Sequence, residues 1–533
     1  MDSHAGQQAI PRAATQWAGP REWAGLAVLA LPTLLLGLDV TILYLALPAL
    51  AADLQPSSTQ ALWIMDAYGF LIAGLLITMG TLGDRIGRRR LLMIGAAAFG
   101  VTSVIAAYAT SAAMLIAARA VLGVAGATLM PSTLALISNM FGDVRQRALA
   151  IGIWATMFAL GMAAGPVVGG LLLERFWWGS AFLVAVPVVA VLLIAAPVLL
   201  PEHRAPRSGR LDLVSVLLSL AAVLPAIYGV KEIARAGLEP VAALAMLAGG
   251  VVAVAFVRRQ RRLADPLLDM RLFASRTFSA ALVVLLVGLI GVSGVMLLVT
   301  QYLQLVAGLT PLAAGLWMGL PALAMVLAGI GAPLLARRIR PGHVVGAALA
   351  LSTWGYWLLA GVGVDSDGVA MAIAGFSLVY LGLGTIAALG TDLVVGAAPA
   401  ERAGSASAMS EMVQELGVAL GVALLGSLAT FVYRTRMSET MADGPGADLS
   451  GAVEDSLWAA VLVGERLPDG VLQQAQQAFT AGLNVAAAVA GIVALALALI
   501  SIVSLRHVGA TGAEIAPPSK NASRSPAGAR HAP

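Results

Sequence analysis

The sequence predicts an all-α membrane protein: fourteen spanning helices, grouped as two six-helix bundles with two extra central helices between them, and both termini cytoplasmic. Three observations lead there. Of 533 residues, 59% are hydrophobic and only 11% are charged, about half the charged share of a soluble domain. Apolar runs long enough to cross a bilayer recur along the whole chain, and the basic residues gather on alternate loops.

The runs, bounded by charged or Gly/Pro-rich punctuation, place spans near 24–48, 61–82, 91–109, 113–137, 148–172, 179–200 and 211–230, then near 240–257, 278–304, 312–335, 344–362, 369–393, 405–431 and 479–505. The first run follows a polar stretch and continues past Asp39 to Pro48 without a small-residue cleavage site. It is therefore read as a retained helix rather than a signal peptide. With the N-terminus inside, 25 of the 32 basic residues fall on inner loops and tails. Six fall outside, namely Arg175, Lys231, Arg235, Arg434, Arg436 and Arg466, and Arg119 is left within a helix. An odd number of spans would destroy this asymmetry across the second half.

The loops divide the chain into a cytoplasmic tail (1–23), a first bundle (24–200), a linker carrying spans seven and eight (201–277), a second bundle (278–505) and a tail (506–533) whose Ala, Ser, Pro and Gly content predicts disorder. A 6+2+6 plan fits the paired repeats of secondary transporters. The outer hairpin loop 434–478 is acidic, and surface helices are expected at 452–463 and 472–479.

Several chemistries are excluded. The chain has no cysteine, which removes disulfides, thiolate metal sites and cysteine nucleophiles. Its five histidines (His4, His203, His343, His507, His531) lie near termini or in short loops, so no intramembrane metal centre is expected. No Gly-x-x-x-x-Gly-Lys-Ser/Thr loop is present, so no cofactor or ATP site is expected and energy must come from an ion gradient. The net charge of +4 reports orientation rather than nucleic-acid binding.

Charges inside the bilayer cost about 2.5 kcal/mol or more each, which makes every retained one a functional candidate. Five stand out: Asp39 in span one, Asp66 near the outer end of span two, Arg119 in span four, and Glu411 with Glu415 in span thirteen. Counted from the span ends at 1.5 Å per residue, Asp39 and Arg119 lie at matching depth. They are expected to pair, either as a structural tie or as a pair whose proton occupancy changes when Arg119 moves or a cation binds. Glu411 and Glu415, four apart, share one helix face. Two carboxylates so close in a low dielectric cannot both ionise cheaply. Facing the inner headgroups is the alternative for the glutamate pair, more so for Glu411 than for Glu415, and an outer-surface cap is the alternative for Asp66. Asp212 and Asp392 are read as span-end residues, Asp212 as a helix N-cap.

The loop after span two reads Gly80-Thr81-Leu82-Gly83-Asp84-Arg85-Ile86-Gly87-Arg88-Arg89-Arg90. This ordered spacing resembles the signature loop of the major facilitator superfamily, and the resemblance implies that Asp84, Arg85 and Arg88 latch the bundles together on the inner side. Span one, with Leu38-Asp39-Val40-Thr41-Ile42 and Ala46-Leu47-Pro48, is similar to the first span of fourteen-span drug:proton antiporters, although Tyr44 stands where that group often has Asn. Arg119 with Gly123 and Gly126 resembles the family's membrane arginine motif. Gly161, Gly165, Pro166, Gly169 and Gly170 resemble the antiporter motif associated with exporters. Gln301-Tyr302-Leu303-Gln304 before a turn at 311–315, and Arg402-Ala403-Gly404-Ser405 leading to Glu411 and Glu415, resemble quaternary-ammonium-compound multidrug efflux pumps. Span ten lacks the acid that some of those pumps carry.

Residues and resemblance together lead to an expectation of proton-coupled export of lipophilic, mainly cationic compounds by alternating access. Asp39, Asp66, Arg119, Glu411 and Glu415 would carry coupling and cation binding. Tyr44, Trp63, Phe158, Tyr302, Trp317, Phe376 and Tyr380 are the aromatic candidates for lining the cavity. The expected partners are small lipophilic cations, protons and membrane lipids, with no nucleic acid, and the expected form is a monomer in a bacterial inner membrane. Export of a neutral or anionic natural product or lipid is the alternative; an importer is disfavoured by the span-five motif, and an intramembrane enzyme by the lack of any catalytic cluster.

Overall fold

A computed structural model describes residues 17–509 except 203–211, 238, 264, 265, 267, 366, 400, 401, 443–450 and 452. Most of the N-terminal tail, the C-terminal tail beyond 509 and part of the acidic loop therefore lie outside the described residues. Fourteen helices are long and apolar enough to span a membrane. They are α1 (Pro20–Leu54), α2 (Ser58–Ile86), α3 (Arg88–Ala107), α4 (Ala112–Met140), α5 (Val144–Arg175), α6 (Ser180–Leu199) and α7 (Leu213–Ala236). The second half gives α8 (Pro240–Gln260), α9 (Arg276–Gln301), α10 (Pro311–Ala336), α11 (Pro341–Ala360), α12 (Gly368–Gly396), α13 (Ala403–Ala442) and α14 (Val471–Ser504).

The helix ends follow local chemistry. Ser57 caps α2 by accepting from the Gln60 N–H at 3.2 Å, and Asp212 caps α7 through Ser215 N at 3.0 Å, both satisfying N–H groups that have no intrahelical partner. Pro311 stands at the first position of α10, where a missing N–H costs nothing. The expected turn at 311–315 is thus the opening of a helix. In the acidic loop Leu457–Leu462 forms a short helix and Gly464–Arg466 a single tighter helical turn, while 472–479 belongs to α14.

The packing repeats. Helix α1 lies on α5, α2 and α3 on α4, and α3 on α6; eight helices later α9 lies on α13, α10 and α11 on α12, and α11 on α14. The closest crossings repeat as well. A Cβ on Gly37 would strike the Phe158 carbonyl of α5, and one on Gly161 the Leu34 carbonyl of α1; in the second bundle Gly294 meets the Gly421 carbonyl and Gly421 the Ile290 carbonyl. Backbones can approach this closely in a membrane only where side chains are absent. The bundles meet along two seams related by the same repeat, α2 with α13 and α5 with α10. Helix α7 lies over the α2/α13 seam, where Ile227 packs with Phe70, Ala419 and Ala423. Helix α8 lies outside α7, with Leu244, Leu247 and Val251 exposed.

Candidate transport site where the bundles part

The glycines along the seams measure how the bundles separate. On α5/α10, a Cβ at Gly170 would reach Pro311 O at 2.7 Å and one at Gly315 would strike Pro166, but at Gly319 the nearest atom is 4.0 Å away, and Gly152 and Gly331 have open space. On α2/α13, Gly69 meets Ala419 at 3.1 Å, whereas the neighbours of Gly80 and Gly83 come from the first bundle alone. The bundles therefore converge at the end opposite the chain termini and diverge toward the basic end. Hydrogen bonds close the converging end. The Gln304 amide donates to Leu45 O across the bundles at 3.2 Å. Asp455 accepts from Ser58 N at 2.8 Å and Ser58 Oγ at 3.1 Å, and is itself held by Arg434 at 2.8 Å. Consistent with this, α9 is buried on every face from Gly291 to Gln301.

The membrane carboxylates are set along this divide. Asp39 lies 2.8 Å from Arg119 Nη1, which joins α1 to α4. Arg119 is 2% exposed; its Nε donates to Ile64 O at 3.1 Å and its guanidinium sits 4.4 Å from the centroid of Tyr68 on α2. Tyr68, which the sequence does not single out, is buried with its hydroxyl unpartnered among the described residues. Across the seam Glu415 is buried and Glu411 is partly exposed, one turn nearer the open end. Their electrostatic neighbours are acids: Glu415 beside Glu411, and Asp39 beside Glu415.

Asp66 is neither a surface cap nor free. Eight residues into α2, it is 1% exposed, and Lys231 Nζ stands 2.9 Å from Oδ1 and 2.8 Å from Oδ2. Lys231 thus corrects the expected topology: α7 runs on to Ala236 and buries this lysine, which the positive-inside count places in an outer loop. The apolar run stops at residue 230 in the sequence, but the helix does not. The signal that would have found it is compositional, since the chain has only two lysines among its 32 basic residues.

The aromatic candidates separate. Tyr44 is buried within electrostatic range of Arg119, Asp66 and Glu415, Phe158 is half-buried on α5, and Trp63 lies against Lys231. The others divide. Trp317 is 41% exposed on α10, beside Leu316 and Leu320. Tyr302 donates to Gly363 O at 2.6 Å and so packs within the second bundle; Tyr380 donates to Met296 Sδ at 2.9 Å, lies within electrostatic range of Tyr44 across the divide and carries Phe376 stacked at 4.5 Å.

The motif residues separate in the same way. Asp84 pairs with Arg88 at 2.7 Å inside the first bundle rather than bridging to the second. Gly87 turns the chain at φ 113°, close against the Glu202 carboxylate, which also accepts from Arg89 N at 3.2 Å. Gly161, Gly165 and Gly169 hold α5 on α1, and only Pro166 and Gly170 touch the other bundle.

Two repeated six-helix bundles parting around buried acids define a membrane transporter, not an enzyme. The comparisons place it further. A family model described as Major Facilitator Superfamily matches residues 29–422, and the chain belongs to that family. It is 43% identical over 491 residues to the multidrug efflux pump LfrA of Mycolicibacterium smegmatis, covering 91% of this chain and 97% of that pump. It is 34% identical to the methyl viologen resistance protein SmvA of Salmonella typhimurium (90% and 97% covered) and 32% identical to a tetracenomycin C resistance and export protein of Streptomyces glaucescens (90% and 91%). The fold matches that of a bacterial homologue of the lysosomal transporter Spinster, solved in an inward-facing, unoccupied conformation, with TM-score 0.61 and 16% identity over 92% of this chain and 99% of that one. The protein is a multi-pass transporter of the bacterial inner membrane whose relatives are efflux and resistance proteins.

Proposed function

We propose that the protein exports lipophilic, mainly cationic compounds in exchange for protons, with the basic end at the cytoplasm and the cleft open to it. The observation that carries this reading is the row of acids at the parting of the bundles. Glu411, Glu415 and Asp39 lie near one another in low dielectric, and only Asp39 has a base beside it. Acids so placed bind either protons or a cationic cargo, and that competition couples the two. The resistance to methyl viologen, a flat dication, named for one relative agrees with it.

Proton release on adding an ethidium-like cation to purified protein tests the reading. Release is expected from wild type and should fall in Asp39→Asn, Glu411→Gln and Glu415→Gln; undiminished release in all three would remove the site assignment. Relatives named for tetracenomycin C and actinorhodin favour a second reading, export of an uncharged or anionic natural product with the acids used for protons alone. Competition by such a compound, with none from cationic dyes, would select it.

A further inference from the structure

The surroundings of Lys231 are those of a bound ammonium ligand. Its Nζ lies within 2.9 Å of both Asp66 oxygens and 3.7 Å from the centroid of the Trp63 ring. A carboxylate on one side and an indole face on the other is how proteins recognise organic ammonium ions. Here a side chain of the same protein fills the place.

Stability does not account for the arrangement. Both side chains are 0% exposed, and a buried ion pair is commonly no more stabilising than apolar residues of similar volume. The choice of base is also informative. In a chain that otherwise uses arginine almost throughout, this position carries lysine, a compact and rotatable point charge rather than a planar fork that locks onto a carboxylate. Helix α7 touches both α2 and α13, so any rocking of the bundles must change its register with one of them. Its contacts with α13 at Ala419 and Ala423 are small and apolar, and of these two helices α2 gives it a charged contact, at Asp66.

We propose that Trp63 and Asp66 form an organic-cation subsite which Lys231 fills in the conformation seen here, making Lys231 a tethered competitor that a transported ammonium or phosphonium displaces. The subsite deepens the cationic-cargo reading and rests on it for the natural ligand.

Two probes of the full-length protein test it. Butylammonium replaces the lost side chain of Lys231→Ala, so it should raise the melting temperature of that variant saturably, as a ligand bound only by the folded state must, and leave wild type and Asp66→Asn/Lys231→Ala unmoved. Tetraphenylphosphonium should bind Lys231→Met about tenfold more tightly than wild type, the order of one desolvated cation–π contact. Lys231→Arg should bind it as wild type does, and Asp66→Asn/Lys231→Met should bind it more weakly than wild type. Folded Lys231→Ala and Lys231→Met proteins that respond to neither probe overturn the proposal. If the single variants do not fold, Asp66→Asn/Lys231→Met, which buries no charge, decides: unchanged phosphonium binding and efflux overturn it, and lost phosphonium efflux with retained export of an uncharged compound supports it. A wild type that exports no phosphonium, beside a Lys231→Ala variant still stabilised by butylammonium, sinks the cargo reading and leaves the subsite standing.

Discussion

Replacing Asp39 removes the one acid paired with a guanidinium that is 2% exposed. Breaking a buried pair from one side costs about 3–5 kcal/mol, because the remaining charge is left desolvated, and Asp39→Ala should lose an amount of that order. Arg119 keeps two partners, Ile64 O at 3.1 Å and the Tyr68 ring at 4.4 Å. A hydrogen bond from a charged donor contributes about 1.5–3 kcal/mol and a desolvated cation–π contact about 2 kcal/mol, so the helix crossing should survive. Asp39→Asn keeps an oxygen for Arg119 to donate to and should lose about 1–3 kcal/mol. In Asp39→Asn/Arg119→Gln no buried charge is left, and stability should recover toward wild type. The assay is thermal unfolding in detergent followed by tryptophan fluorescence, run beside efflux from energised everted vesicles. The melting order should be wild type, double variant, Asp39→Asn, Asp39→Ala. Efflux should be lost in all three variants, including the double variant whose fold is restored. A double variant that melts below both single ones, or an Asp39→Ala protein that melts with wild type, would refute the pairing argument; efflux restored along with stability would reduce Asp39 to a structural tie.

Other perturbations read other parts of the molecule. Gly161→Val should push α1 from α5 at the Leu34 carbonyl, costing about 1–3 kcal/mol by overpacking, and is checked by expression and melting beside Gly152→Val, where a Cβ meets open space. Asp455→Ala removes the contact that holds Ser58 of α2 to the acidic loop; a loss of about 1–2 kcal/mol shifts a two-state balance roughly 5–30-fold. In this cysteine-free chain a Leu62→Cys reporter should then react correspondingly faster with an impermeant maleimide, and an unchanged rate would free Asp455 from any gating role. Burial opposes ionisation of Asp212, but its hydrogen bonds from Ser215 and Arg259 outweigh that and hold its carboxyl below the ordinary carboxylate range. Its contribution is therefore complete above about pH 4, the unfolded carboxylate value, and is lost as pH falls through the lower folded value. Proteolysis of the α7/α8 hairpin should be constant from neutrality to that pH and rise below it, and Asp212→Ala should abolish the pH step.

The spans were legible because lipid demands about twenty apolar residues and closed backbone hydrogen bonding, and each such run in the chain is a helix in the structure. The Asp39–Arg119 contact was legible for a related reason: counting 1.5 Å per residue from two span ends places both charges at one depth. Lys231 was not, since hydropathy ends a span at the first charge, while a helix ends where its hydrogen bonds do. Trp317 was not either. Helix α10 is apolar on all sides, and such a helix carries no pattern to tell lipid from cleft; that distinction is made by the neighbouring helices, α5 at Pro166 and Gly170 and α12 at Gly384, where a Cβ would strike the Met325 carbonyl. The signature loop gave its residues but not their state, because Asp84 and Arg88 pair within one bundle when the basic end is open.

The acids divide by whether a base accompanies them, and the division follows the seam. Asp39 and Asp66, on the first bundle, each have a cation within 2.9 Å; Glu411 and Glu415, on the second, have acids for electrostatic neighbours among the described residues. A paired carboxylate can stay ionised in low dielectric, whereas two close, unpaired ones cannot both do so at small cost. Protons are thus expected chiefly at the glutamates and fixed negative charge chiefly at the aspartates. Because the glutamates ride on one side of the seam and the aspartates on the other, closing the basic end while opening the opposite one changes the distance between the two sets without moving any helix relative to its own bundle. On the proposed reading, a cation held between them would be bound most tightly in one state and least tightly in the other, which is the differential affinity that a carrier needs if rocking is to be driven by its ligands.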